Sequence, residues 1–232
     1  MMKYITKTDL YIVSRYSGVV MICVGLMCLF PLLIDLIYFE FNYACFIIPG
    51  VFSVILGYIC MKALDKYSNS KMRLKHGMMI SSIAWMWASV IGGVVISLAT
   101  GTDFLNGIFE STSALTGTGI TMFDNVEILP HSILYFRAFE QWVGGLGVVV
   151  MMIGILTRPG TASAKLYQSE AREERLKPSV KTTLKKTIEI YLIYTIIGII
   201  LYLLAGMPAF DSVCTTFCMI ATGGMSIKNA SQ

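Results

Sequence analysis

Residues 115–121 read LTGTGIT: three threonines and two glycines, with no charge, inside a very apolar chain. The chemistry open to such a stretch is oxygen coordination. A potassium ion that leaves water needs a ring of oxygens in place of its hydration shell, and backbone carbonyls can supply it. Glycine permits the backbone angles that aim successive carbonyls one way, and threonine adds a hydroxyl oxygen. Thr116, Gly117, Thr118 and Gly119 therefore read as a cation selectivity loop. Taken alone, the stretch also fits a Gly/Thr-rich external loop with no such role.

A second copy favours the loop. Shifted by 105 residues, LNGIFESTSALTGTGIT (105–121) lies over FDSVCTTFCMIATGGMS (210–226). Gly119 falls on Gly224, Asn106 on Asp211, Ile108 on Val213, Leu115 on Ile220 and Thr121 on Ser226. A shift of 106 would match Thr116–Gly117 to Thr222–Gly223 but spoils the apolar pairing upstream. Thr222, Gly223 and Gly224 become the second candidate coordination set. The repeating unit is a span, a short pore helix, a glycine loop and a span, and two copies at one spacing are hard to explain as idle loops.

The elements that must position these loops follow from composition. Of 232 residues, 56% are hydrophobic and 14% charged, with mean hydropathy +0.70; soluble domains carry about 25% charged residues. The class is an all-α integral membrane protein in a lipid bilayer. Apolar segments near 11–37, 42–62, 77–100, 133–157 and 187–206 are each long enough to cross. The first continues through Pro31 to Ile34, so it reads as a retained helix, not a cleaved leader. The six cysteines lie in apolar segments without metal or disulfide spacing and read as small apolar residues.

Charge gives the orientation. Lys3, Lys7 and Arg15, the linker 62–76 with five basic residues, and the connector 158–186 with eight are basic, whereas the other connections carry acids. Basic loops stay cytoplasmic, which places Met1 inside and 101–132 outside in the cell membrane. The outer segment begins with DFLNGIFESTSAL, too short to cross, and reads as a re-entrant helix with Asp103 as its N-cap. The chain returning from it is LTGTGIT, and irregular backbone at that depth survives only if buried in protein or facing a wet cavity.

SALTGTGITMFD, FRAFEQWVGGLGVVVMMIGIL, LYQSEAREERLKPSVKTT and AFDSVCTTFCMIATGGMS together resemble the Trk/Ktr/HKT superfamily of potassium transporters, and the two extra N-terminal spans resemble its Trk-type membrane subunit. The resemblance covers nearly the whole chain. It implies potassium as the transported ion, no bound cofactor, and four span–pore–span repeats around one pore. Gly119 and Gly224 would be the key glycines, with Thr116, Gly117, Thr118, Thr222 and Gly223 supplying neighbouring oxygens. It also implies a cytoplasmic nucleotide-binding regulatory subunit, a homodimer of the full-length protein, and no nucleic-acid partner.

On that pattern the organisation is a two-helix region with a basic linker (1–76), a first repeat (77–157), a cytoplasmic connector (158–181) and a second repeat (182–232) that stops after its loop. Only the N-terminal half of such a subunit is then present. The outer span of the second repeat would be missing, Ala221–Ser226 would be left near lipid with unpaired carbonyls, and residues 1–232 alone would not conduct. The chain departs from the family pattern at Met225, where an aromatic residue is common, and neither loop has the TVGYG of ordinary potassium channels.

Other residues divide between chemistry and structure. Glu110 in the pore helix either biases a vestibule toward cations or hydrogen-bonds the Ser111–Thr112 region. Arg137 and Glu140 are placed for a helical i,i+3 ion pair, and Glu189 for one with Lys185 or Lys186. Gly144, Gly145 and Gly147, like Gly92 and Gly93, fit a hinge or a close-packing face, and close packing is the preferred reading. His76 and His131 lie at span ends without ligand spacing. A membrane-embedded enzyme would need clustered acids, histidines or a serine–base pair within the spans, and the spans show none. The remaining alternatives are a transporter pore and a non-conducting fragment of one.

Overall fold

The computed structural model describes residues 6–64, 74–156 and 180–229. Its helices in chain order are α1 (Lys7–Met27), α2 (Leu32–Tyr38), α3 (Tyr43–Ala63), α4 (Leu74–Thr100), α5 (Phe104–Thr116), α6 (His131–Leu156), α7 (Val180–Leu204) and α8 (Ala209–Ile220), with one 3₁₀ turn at Val126–Ile128. Most of the basic linker 62–76 and of the connector 158–181 lies outside the described residues. Among the described residues, four segments are long and apolar enough to cross a membrane: Lys7–Tyr38, Tyr43–Ala63, Lys75–Thr100 and Thr182–Leu204. The fifth expected span coincides with α6. That helix has the length, but it carries Arg137, Glu140 and Gln141, all fully buried against its neighbours.

The first expected span is broken. Pro31 has no amide hydrogen and cannot continue the i→i−4 ladder, so α1 stops at Met27 and three-residue turns (Leu29 N to Leu26 O, 3.0 Å; Phe30 N to Met27 O, 3.3 Å) lead into α2. Helices α1 and α3 then pack antiparallel through glycines seven residues apart. A Cβ on Gly18 would lie 2.6 Å from Gly57 O, and one on Gly25 would lie 2.5 Å from Gly50 O. Small residues allow this approach, and Ser53 Oγ donates to Met21 O across it at 2.7 Å. Trp87 Nε1 on α4 donates to Ser53 Oγ at 2.8 Å, tying the pair to the rest.

Beyond this pair, the chain bends alike at an offset of 105 residues. Gly101 and Gly206 both have positive φ (71° and 89°) after the long helix. Helix α5 starts at Phe104 and α8 at Ala209. Gly107 N bonds Asp103 O at 2.9 Å, and Ser212 N bonds Pro208 O at 2.9 Å. Asp103 occupies the N-cap of α5, as expected from its position, but its side chain makes no capping hydrogen bond; the backbone carbonyl does the work. At 13 residues, α5 is about 20 Å long, well short of the ~30 Å hydrocarbon core.

The entry of α6 is held from outside the helix. Glu40, between α2 and α3, accepts from His131 N and from Ser132 N (2.9 Å) and Oγ (2.7 Å), satisfying first-turn amides that lack helical partners. Partial burial pushes the Glu40 carboxyl up, but the hydrogen bonds from Ser132 and His131 outweigh it and hold it below the usual glutamate value. A carboxyl depressed by folding stabilises above its unfolded pKa, and that contribution fades as pH falls through the folded value. Glu40→Gln should therefore lower thermal stability by on the order of 1 kcal/mol at neutral pH. The deficit should shrink as the buffer is acidified below the ordinary glutamate range. A deficit that stays constant from neutral to acid pH would show that the charge is not what matters.

Candidate cation-coordinating loops

The first loop is shaped by the end of α5. Gly117 takes the left-handed conformation (φ 70°) and ends the helix, while Ser113 O receives Thr118 N at 3.0 Å and Gly119 N at 3.4 Å. Gly119 is also left-handed (φ 76°), a region that costs side-chain-bearing residues about 1–2 kcal/mol. Ser113 Oγ then donates to Ile120 O at 2.6 Å, pinning the returning chain to the helix it came from. Thr116 Oγ1 donates to Thr112 O (2.8 Å) and lies 2.8 Å from Thr118 Oγ1. A hydroxyl has one proton, so Thr118 is the donor in that second contact.

Glu110 anchors the far end of the same loop. Its Oε1 accepts from Thr121 Oγ1 (2.9 Å) and Arg137 Nε (2.7 Å), its Oε2 accepts from Met122 N (2.8 Å), and Arg137 Nη2 lies 2.6 Å from Oε1. Arg137 also donates to Thr121 Oγ1 at 3.1 Å. Both side chains are at most 2% exposed. The carboxylate is thus sealed in protein and paired with Arg137, and its hydrogen-bond partners are Thr121 and Met122 where the Ser111–Thr112 region was one expectation. The expected Arg137–Glu140 ion pair does not form: Arg137 turns across to α5, and Glu140 Oε1 instead accepts from Ser111 Oγ at 2.6 Å. The Lys186–Glu189 pair does form, at 3.0 Å.

The second loop leaves α8 with the same hydrogen bonds at offset 105. Gly223 N bonds Cys218 O at 2.8 Å, as Thr118 N bonds Ser113 O, and Thr222 N bonds Met219 O at 3.0 Å, as Gly117 N bonds Ala114 O. Thr222 and Gly224 are left-handed (φ 52° and 74°), matching Gly117 and Gly119. Thr222 Oγ1 turns back to Ala221 O at 2.7 Å. The expectation that Ala221–Ser226 is stranded with unpaired carbonyls is corrected for Gly223 and Met225, while the carbonyls of Thr222 and Gly224 stay unpaired among the described residues. Gln141 Nε2 on α6 donates to Gly223 O at 2.8 Å, and Met225 is buried among Cys214, Cys218, Ala114 and Ala138.

The two loops meet. A Cβ on Gly119 would lie 2.2 Å from Gly223 O, and one on Gly117 would lie 3.9 Å from Gly223 Cα. All seven candidate residues, Thr116, Gly117, Thr118, Gly119, Thr222, Gly223 and Gly224, are therefore brought side by side. Among the described residues, the carbonyls of Thr116, Gly117, Thr118, Gly119, Thr222 and Gly224 accept no hydrogen bond. Unpaired carbonyl oxygens on glycine-bent backbone are the kind of donor a dehydrated monovalent cation needs. Behind them, Gly144 lets α6 touch α5, for its Cβ would lie 1.9 Å from Leu115 O. Among the described residues a Cβ on Gly147 would meet nothing within 4 Å, so the expected close packing is not seen there. Sequence reasoning missed Gln141 and the Arg137–Glu110 pair. The available signal was three strongly polar residues, Arg137, Glu140 and Gln141, in an otherwise apolar span.

Comparisons with known proteins show the family and the fold. A family profile described as TrkH, cation transport protein, matches residues 46–232. An uncharacterized cation transporter of Methanocaldococcus jannaschii is 40% identical over 228 residues, covering 98% of this chain and 48% of that protein. The Trk system potassium uptake protein TrkH of Halomonas elongata is 30% identical over 230 residues, covering 96% and 47%. The crystal structure of the potassium transporter TrkH from Vibrio parahaemolyticus superposes with a TM-score of 0.82 at 27% identity, covering 96% of this chain and 45% of that one. The chain spans about half the length of the relatives it matches. It shares their sequence and fold over almost all of its own length, and it belongs to the TrkH family of cation transport proteins.

Proposed function

We propose that residues 1–232 form part of the pore of a Trk-type potassium uptake system, with ions coordinated by the carbonyls of the two glycine loops. The observation that carries this reading is the meeting of Thr116–Gly119 with Thr222–Gly224, each left-handed at matching positions and each rich in unpaired carbonyls. The family is one of cation transporters, not of enzymes, and the relatives from Halomonas elongata and Escherichia coli are named as potassium uptake proteins. Residues 77–157 and 182–232 are then two pore repeats, and 1–76 is a supporting helix pair. Ring closure takes two further loops of the same kind. A nucleotide-binding regulatory subunit on the cytoplasmic face and a homodimer of the full-length protein complete the proposal.

Expression of the full-length gene product in a host lacking its own potassium uptake tests it. Growth on low potassium, with uptake that favours potassium over sodium, is the expected result; a protein present in the membrane that leaves uptake at background would refute the reading.

The proposed sidedness has its own check. From the alternation of basic and acidic connections we infer that 62–76 and 158–186 are cytoplasmic and 101–132 is outside. Asp124 is exposed on the outer segment, whereas neighbouring Asn125 is engaged with Glu127 N and Asn229 Nδ2. A single thiol placed by Asp124→Cys in a cysteine-free background should react with an impermeant maleimide added outside intact cells. Labelling only after the cells are opened would invert the topology.

A further inference from the structure

Gln141 is fully buried in α6, one residue beyond Glu140, and among the described residues its amide makes two hydrogen bonds, both with the second loop. Nε2 donates to Gly223 O at 2.8 Å, and Oε1 faces Met225 N at 3.4 Å. The two contacts straddle Gly224, the residue that matches Gly119. Gly223 is shaped to receive the amide: a Cβ there would lie 2.3 Å from Gln141 Cδ. On Gly224 a Cβ would meet nothing within 4 Å among the described residues. One amide therefore grips the loop on both sides of its left-handed glycine and leaves that glycine facing open space.

The grip is chemically specific. A side-chain amide offers a donor and an acceptor at once, and the loop presents one carbonyl and one N–H at the required separation. No aliphatic side chain of that volume can do this, and a carboxylate can do only half of it. The equivalent of Gly223 in the first loop is Thr118, whose carbonyl has no partner among the described residues. The loops are thus alike in backbone but held differently: the first by groups of its own repeat, Glu110, Ser113 and Arg137, the second by the outer helix of the preceding repeat.

Resting on the reading of these loops as a cation filter, we infer that Gln141 is a positioning residue for ion discrimination: its amide fixes the Gly223–Met225 backbone and holds the Gly223 carbonyl out of the coordinating set. The carbonyls of Thr222 and Gly224 remain to face the ion. Without the Nε2–H donor the Gly223 peptide is free to rotate, and the spacing of the remaining oxygens no longer selects by size.

The test compares Gln141→Glu and Gln141→Met in the full-length gene product with the unsubstituted protein, reading rubidium uptake, sodium uptake and the amount of protein in the membrane. Glutamate keeps the acceptor and removes the donor; methionine keeps the volume and removes both. The expected result is a fall of about tenfold in rubidium-over-sodium preference for each, on the scale of one lost buried hydrogen bond, with residual uptake per molecule still measurable. A residue that only supports packing would lower the amount of protein and leave the preference per molecule unchanged, and that outcome overturns the inference. Should Gln141→Met fail to accumulate, Gln141→Glu alone decides it. Gly119→Ala and Gly224→Ala in the same assay separate the layers. If the glycine variants shift the preference and the Gln141 variants do not, only the positioning role is lost; if none does, the filter reading falls with it.

Discussion

Gly119→Ala should abolish selective potassium uptake. Two independent effects act on that residue. Its φ of 76° disfavours any side chain by about 1–2 kcal/mol, and the added Cβ would sit 2.2 Å from Gly223 O, backbone of the facing loop. Neither atom belongs to a flexible side chain, so one loop must move, and the separation of carbonyls across the site changes with it. Gly224→Ala carries the first effect (φ 74°) without the clash against the other described loop, because among the described residues its Cβ meets nothing within 4 Å. The ranking should be Gly119→Ala worst, Gly224→Ala intermediate and Gly147→Ala near the unsubstituted protein, since Gly147 is exposed in a helix with open space beside it. Gly92 does lie on a packing face, as its sequence position suggests, and so tightly that Gly92→Ala would not be mild. Its Cβ would lie 2.2 Å from both Glu140 Oε1 and Ser111 Oγ, directly under the pore helix. Rubidium uptake per molecule of membrane protein measures the series; equal, mild losses at Gly119 and Gly147 would argue against any filter role.

Breaking the Glu110–Arg137 pair should be nearly as damaging, through stability. Glu110→Gln leaves a buried guanidinium without its counter-charge, and Arg137→Met leaves a buried carboxylate that still holds Thr121 and Met122. Removing one partner of a buried ion pair costs about 3–5 kcal/mol. The double variant removes both charges, and isosteric replacement of such pairs is often close to neutral. Thermal unfolding of the purified protein should therefore show each single variant well below the unsubstituted protein and the double variant recovering a substantial part of the loss. Additive losses would mean that the two side chains act separately.

Much of this was legible because the chain repeats. The offset of 105 residues is present in the sequence, and backbone angles and hydrogen bonds recur at the same offset because similar apolar and glycine patterns meet similar steric limits at Gly101 and Gly206, Gly117 and Thr222, and Gly119 and Gly224. Helix lengths followed from apolar runs for the same reason. What could not be read were choices made between helices. The i,i+3 spacing of Arg137 and Glu140 allows a local pair, but both side chains lie on the face of α6 that packs on α5, where Glu110 and Ser111 offer better-placed partners. Gln141 looks like any polar residue until α8 is folded against α6. The glycines of α1 and α3 carry a signal, seven-residue spacing in both helices, whose meaning depends on antiparallel pairing. Pro31 was visible, and its missing amide hydrogen sufficed to end α1.

The central claim is that the two glycine loops coordinate the transported ion, and anomalous scattering tests it most directly. The full-length gene product crystallised in rubidium or thallium salt should show an anomalous peak within coordination distance of the carbonyls of Gly119 and Gly224. That peak should weaken when sodium replaces the heavier ion. Ordered loops with no peak between them, or a peak held only elsewhere in the molecule, would contradict the assignment.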